Sequence, residues 1–293
     1  MKKLTKYTIA VALIITLGIK TSCNERTQNT SSVTDANSRI FNHCEYTDEA
    51  EIVGLNGGKY ISVPDGMIIA GPMQYENVDD IPFIYLDIEH DVEIIVPAGL
   101  FIQTTEVTQD QFLTFVKSSG YAWQSTEIYV QDNNTHIDGD LPVTGVSIND
   151  AEAYCQWLTS ISNCYHRLPT EYEWEYVCKY GMNIGVKDAT KPPNIVWQGW
   201  TSDNSKGVKM PVGKLQSNEL GAYDMLGNVW EWTSTKMPDD ISNESGLGSE
   251  LYFIRGGSVD NTYKSARCSG RWAGLPPSER SAYVGFRVII EKN

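Results

Sequence analysis

The sequence predicts a loop-rich α+β domain with short antiparallel strands and three main helices. Three observations carry this: three helix starts each have a side-chain cap followed by apolar residues at helical spacing; short apolar runs broken by Pro and Gly flank them; and a long Gly-, Asn-, Pro- and Trp-rich stretch shows no periodicity. Of 293 residues, 41% are hydrophobic, and eight Trp and sixteen Tyr are present. That composition excludes wholesale disorder and suits a core of stacked rings. A carbohydrate-binding face is the alternative use of the same rings.

At the N-terminus, Lys2, Lys3 and Lys6 precede an apolar run from Thr8 to Ile19, followed by Lys20-Thr21-Ser22-Cys23. A basic start and an apolar run of this length read as a secretory signal, too short for a permanent membrane span. The small residues before Cys23 look like a bacterial lipobox. The sequence therefore predicts residues 1–23 as a signal peptide, lipidation at Cys23, and an exported outer-membrane or periplasmic lipoprotein. Lys20 departs from the apolar residue usual at that position, which keeps ordinary cleavage to a soluble product as the alternative. Removing residues 1–23 takes away four Lys and no acid, moving the formal charge from −14 to −18. So acidic a chain argues against nucleic acid as a partner and leaves the lipid anchor as its membrane attachment.

Residues 24–58 begin with a polar run and are assigned to a tether and N-terminal extension, with the folded domain over 59–293. Strands are predicted around Ile61 and Val63, Met67–Ala70, Phe83–Leu86 and Val92–Val96, separated by Pro- and Gly-containing turns. Capping pairs Thr108/Gln111, Ser147/Asp150 and Thr170/Glu173 each open an amphipathic helix. Glu173 and Glu175 form a conceivable catalytic carboxylate pair, but Glu173 is better used as a cap. From Gly181 to about Tyr252 nothing is periodic, so metal, disulfide or aromatic packing must order the span. Strand-like Tyr252–Arg255 and Gly285–Ile290 close the chain. Besides Cys23, the cysteines are Cys44, Cys155, Cys164, Cys178 and Cys268; an oxidising compartment invites disulfides, and an odd number leaves one over.

Six blocks, in order, resemble the formylglycine-generating-enzyme (sulfatase-modifying-factor) family. They are Thr105-Glu106-Val107-Thr108; Pro142-Val143 with Ser147–Ala151; Arg167–Tyr176; Leu226–Thr233; Arg255-Gly256-Gly257-Ser258; and Gly285-Phe286-Arg287. The resemblance covers roughly residues 59–291 and implies a single compact α+β domain related to C-type lectin folds. It implies a structural calcium site at Asp224, Glu231 and the carbonyls of Gly227 and Val229, hard oxygen ligands on a short Gly-containing loop. The alternative for these residues is a turn cap at Asp224 and a buried salt bridge from Glu231, with Arg255 as a candidate partner. A second calcium site would draw on Asn194 and Ile195 with Asp203 or Asn204, although the spacing departs from the family's. The resemblance also implies a Cys178–Cys268 disulfide. Cys155 is left to pair with Cys164 or Cys44 or to remain a buried thiol.

The family's enzymes hold Cu(I) on two cysteines three and eight residues beyond the Ser of the fifth block. Those positions are Asn261 and Ala266 here, in a segment about three residues shorter, so no copper is expected. An iron branch uses clustered histidines, whereas His43, His90, His136 and His166 are scattered, with His166 expected at a strand end or surface. Trp230 and Ser258 would line the family's groove, bordered by Arg255, Asn261, Arg267 and Arg271, for an extended peptide or an acidic group. The expectation is a binding or scaffolding lipoprotein with a peptide or protein ligand in the envelope. The alternative is a periplasmic tailoring or oxidising enzyme with a non-copper site near Trp230 and Ser258.

Overall fold

The computed structural model describes residues 51–71, 92–124, 139–162, 164–180, 198–239, 250–271 and 274–292. A five-stranded antiparallel sheet lies at the centre, with spatial order β1 (Glu51–Val53), β2 (Lys59–Val63), β5 (Leu100–Gln103), β10 (Ile289–Glu291) and β6 (Tyr165–Arg167). The inner strands β5 and β10 read as apolar runs rather than polar–apolar alternations because both their faces are buried. On β2, Tyr60 joins one core cluster while Ile61 and Val63 join the other. Phe101 on β5 and Ile290 on β10 point to the first cluster; Leu100, Ile102 and Ile289 point to the second.

Helices α1 (Gln109–Ser119) and α2 (Ile148–Ser162) cover the first face, and α3 (Glu171–Lys179) covers the second. All three predicted caps are present. Thr108 and Thr170 each complete a capping box with Gln111 and Glu173. At α2, Ser147 N–H donates to Asp150 Oδ2 (2.8 Å) and Asp150 N–H donates back to Ser147 Oγ (3.2 Å). The first cluster is built from rings, with Phe112 contacting Trp123, Tyr154 and Phe286 at centroid distances of 5.0, 5.7 and 6.1 Å.

Two smaller sheets complete the fold. Strands β3 (Gly66–Ala70) and β4 (Val92–Val96) pair antiparallel, with Met67 opposite Ile95. Strand β7 (Trp230–Lys236) pairs antiparallel with β8 (Tyr252–Arg255) and parallel with β9 (Val284–Gly285). Strand β1, within the stretch read from the sequence as an N-terminal extension, pairs with β2. The missed strand is three residues long, too short for a periodic signal.

The aperiodic stretch is ordered in its described part by backbone contact between loops. Gly199 and Gly227 lie where a Cβ would meet Leu226 O at 1.8 Å and Trp200 O at 2.0 Å, so only glycine allows the approach. Asn228 follows with φ 54° and is fully buried. Its N–H donates to Trp200 O, its Nδ2 donates to Glu106 Oε1, and its Oδ1 accepts from Met210 N–H. One residue thus ties three segments to its own loop. A one-turn helix, α4 (Ser202–Ser205), is tied to the loop after β8 by Ser202 N–H donating to Asn261 O.

Candidate functional site

Helix α3 places Glu171, Glu175 and Lys179 four residues apart, on one face. That face meets β8 and the segment after it. Arg255 Nη2 donates to Glu175 Oε2 (2.6 Å), Arg271 Nε to Glu171 Oε2 (2.6 Å), and Lys179 Nζ to Glu175 Oε1 (2.6 Å). Arg255 also donates to the carbonyls of Cys268 and Ser269, and its guanidinium lies 5.3 Å from the Trp174 ring centroid. All five charged groups are at most 4% exposed. Burial alone would raise the Glu175 carboxyl; Arg255, Lys179 and Arg271 outweigh it and hold its pKa below the ordinary value. Glu173 faces the other way, capping the helix and forking to Arg167 at 2.7 Å on both oxygens.

On the far edge of Trp174, its Nε1–H donates to Glu231 Oε2 (2.7 Å). Glu231 also grips Arg287, which donates from Nε (2.6 Å) and Nη2 (2.7 Å). The partner of Glu231 is therefore Arg287, although Arg255 sits directly across from it in the β7–β8 register. Arg255 is drawn off by the two carboxylates of α3.

Asp224 and Glu106 stand near this pair. Asp224 has φ 53° and accepts from Gly213 N–H at 2.6 Å through Oδ2. Its Oδ1, together with Glu106 Oε2 and Gln103 Oε1, is buried with no hydrogen-bond partner among the described residues. Burial is the main cause that raises both carboxyls, Glu106 well above its ordinary value and Asp224 to about 6. Even with Glu106 left out of the count, Asp224 and Glu231 against the one guanidinium of Arg287 leave a local excess of negative charge. No group of three or more His, Cys, Asp or Glu side chains among the described residues is spaced to hold a metal. The calcium set predicted from the sequence needs only two side chains, the rest being the carbonyls of Gly227 and Val229. Asn194 and Ile195, the second predicted site, lie outside the described residues, as do Cys23, Cys44, His43, His90 and His136.

The groove residues are enclosed. Trp230 is 4% exposed within the ring-rich cluster, Ser258 is 1% exposed, and Arg271 is held by α3. Asn261 is half-buried, and its Oδ1 accepts from Ser258 N–H (2.9 Å) and Oγ–H (3.0 Å), closing a turn. Ala266 is fully buried beside Gly257. Cys178 and Cys268 form a disulfide, with Cα atoms 5.6 Å apart. Cys155 is a buried free thiol whose pKa burial pushes upward, and Cys164 is disulfide-bonded. His166 is buried on β6 rather than exposed, contacting Ser162 and the Cys164 carbonyl. Burial lowers its pKa to about 4.

Sequence reasoning missed the α3 charge face and Asn228. The i, i+4, i+8 line of Glu171, Glu175 and Lys179 was the available signal for the first. Nothing local marks Asn228, whose partners are distant in sequence.

The profile of the sulfatase-modifying factor enzyme 1-like domain matches residues 51–292. Formylglycine-generating enzyme of Mus musculus is 28% identical over 313 residues, covering 84% of this chain and 80% of that protein. Inactive C-alpha-formylglycine-generating enzyme 2, also of Mus musculus, is 34% identical over 164 residues, covering 50% of this chain and 48% of that protein. The solved structure of PvdO from Pseudomonas aeruginosa superposes with a TM-score of 0.63 at 24% identity, covering 81% of this chain and 96% of that one. The matched span takes in the ten strands and four helices of the described residues, and on it the chain belongs to the sulfatase-modifying factor enzyme 1-like domain family.

Proposed function

We propose that this chain is an exported, lipid-anchored envelope protein whose formylglycine-generating-enzyme-like domain binds or scaffolds and does not form formylglycine through copper. The observation that carries this reading is the chemistry at the two positions matching the family's copper cysteines. Asn261 caps the Ser258 turn through its amide oxygen, and Ala266 is a buried methyl. Cu(I) requires soft sulfur donors, and neither residue has one. Among the described residues, Cys178, Cys268 and Cys164 are in disulfides, and Cys155 is a buried thiol in the ring-rich core. The enclosure of Trp230, Ser258 and Arg271 further weighs against an open catalytic groove there. A relative named as inactive gives the family a precedent for the fold without the activity.

Calcium is the cofactor this reading assigns, held by Asp224, Glu231 and the carbonyls of Gly227 and Val229. The unpartnered Asp224 Oδ1 and the local negative excess support it. Glu231 would share its carboxylate between the cation and Arg287. The ion would neutralise this charge and pin the loop that precedes β7, a structural role. The ligand is a peptide or protein of the envelope, with no nucleic acid and no membrane contact beyond the lipid.

Metal analysis of the purified chain, paired with incubation of a sulfatase-type cysteine peptide with Cu(I), tests the proposal. Calcium alone and an unmodified peptide are expected. Stoichiometric copper or iron retained after calcium is chelated, or aldehyde on the peptide, would overturn it. Cys23→Ser should release the chain from membranes; unchanged fractionation would remove the anchor from the reading.

A further inference from the structure

Six arginines lie among the described residues, and five have a carboxylate. Arg167 pairs with Glu173, Arg255 with Glu175, Arg271 with Glu171, Arg280 with Asp150 and Arg287 with Glu231. The sixth, Arg267, is 6% exposed, and its Nε, Nη1 and Nη2 are all buried with no acceptor among the described residues. Arginine does not lose its proton in proteins, so this is a full charge with five N–H donors removed from water. Leaving such a group unanswered carries the penalty of an uncompensated buried ion.

No hydrogen bond or ion pair answers it among the described residues. Arg255 donates to the carbonyls of Cys268 and Ser269, the two residues after Arg267, so the α3 charge cluster is adjacent. That cluster already sets Lys179, Arg255 and Arg271 against only Glu171 and Glu175. Arg267 is thus next in sequence to a cluster already in positive excess, inside a chain whose formal net charge is −14. Its chain neighbour Ala266 packs against Gly257, where an added Cβ would lie 3.0 Å from Ala266 Cα, which sets the Arg267 backbone next to the Gly256-Gly257-Ser258 turn.

We propose that Arg267 is the recognition residue for a ligand carboxylate, which forks onto the guanidinium. The planar fork matches a carboxylate with two parallel hydrogen bonds. A single negative charge is favoured over a multiply charged phosphate because the rest of the protein repels anions. The proposal deepens the binding reading by naming what is bound. The carboxylate is either a free small acid or the acidic group of a peptide.

The test is the melting temperature of the full chain and of Arg267→Met and Arg267→Lys, with four probes: acetate, inorganic phosphate, and a short peptide as its C-terminal acid and as its amide. Without ligand, Arg267→Met should melt at or above the parent temperature, because an unanswered charge has been replaced by an apolar chain of similar length. At about 100 times its Kd, the carboxylate probe should raise the parent Tm by roughly 5–10 °C. The shift should vanish in Arg267→Met and shrink in Arg267→Lys, which retains charge without the fork. A shift with acetate identifies a small acid, and a shift with the peptide acid but not its amide identifies a peptide. If Arg267→Met melts well below the parent, the guanidinium has an internal partner and the proposal fails. It fails equally if phosphate alone shifts the parent, if no probe does, or if every variant shifts alike. Should Arg267→Met not fold, Arg267→Lys carries the comparison. Copper or iron in the purified chain would sink the binding reading while leaving this carboxylate result standing.

Discussion

Glu175→Gln changes one atom in the interior and should be among the most damaging substitutions that preserve shape. The parent cluster sets three cations, Lys179, Arg255 and Arg271, against Glu171 and Glu175, all nearly inaccessible to water. Gln at this position leaves three cations facing one carboxylate, with Arg255 losing its 2.6 Å partner and Lys179 its own. Breaking one side of a buried pair costs about 3–5 kcal/mol, mostly from the charges left behind. For a domain of this size that corresponds to a fall in Tm of roughly 6–20 °C. Urea unfolding at low and high salt is the assay, because a buried pair is screened far less than a surface one. Glu173→Gln is the control: Gln at N3 preserves the capping box and loses only the partly exposed fork to Arg167, costing about 1 kcal/mol. Adding Arg271→Met to Glu175→Gln should restore part of the loss, since it removes a surplus cation. The reasoning is refuted if Glu175→Gln costs less than about 1 kcal/mol, or if its cost disappears with added salt.

Four further outcomes are expected. Cys178→Ser should lower stability by about 4.5 kcal/mol in oxidising buffer on the chain-entropy estimate, given the 90-residue separation, and reductant should make parent and variant converge. His166 is neutral in the folded chain with its pKa lowered to about 4, so the unfolded chain takes up a proton first as pH falls below about 6.5. Its stabilisation is complete above that pH and decreases towards pH 4, a loss of up to about 3 kcal/mol; His166→Gln should flatten that part of a stability–pH curve, and an unchanged slope would contradict the assignment. Asn228→Ala removes three side-chain hydrogen bonds, one of them fully buried, and places a non-Asn residue at φ 54°, so denaturant unfolding should show a loss of about 3 kcal/mol. Asp224→Asn should reduce the rise in Tm produced by calcium while leaving the chelated protein nearly unchanged; equal behaviour with and without calcium argues against an ion there. Glu231 is a poor probe of the same question, because its loss strands Arg287 whether or not calcium is bound.

Local chemistry determined the helices and the family. Thr108, Ser147 and Thr170 cap because a hydroxyl and the side chain three residues on satisfy N–H groups within one turn. Those bonds need no distant partner, so they are legible in a short window. The paired cysteines were legible through family resemblance alone, and the six ordered blocks named the domain before any coordinate. Tertiary structure alone decided the charges. Glu231 chose Arg287 over the Arg255 opposite it, Arg271 turned from a supposed groove into the α3 cluster, and Arg267 was left unanswered. The physical reason is competition: a buried ion pairs with whichever opposite charge the folded chain brings nearest, and the candidates lie 56 to 100 residues away along the chain.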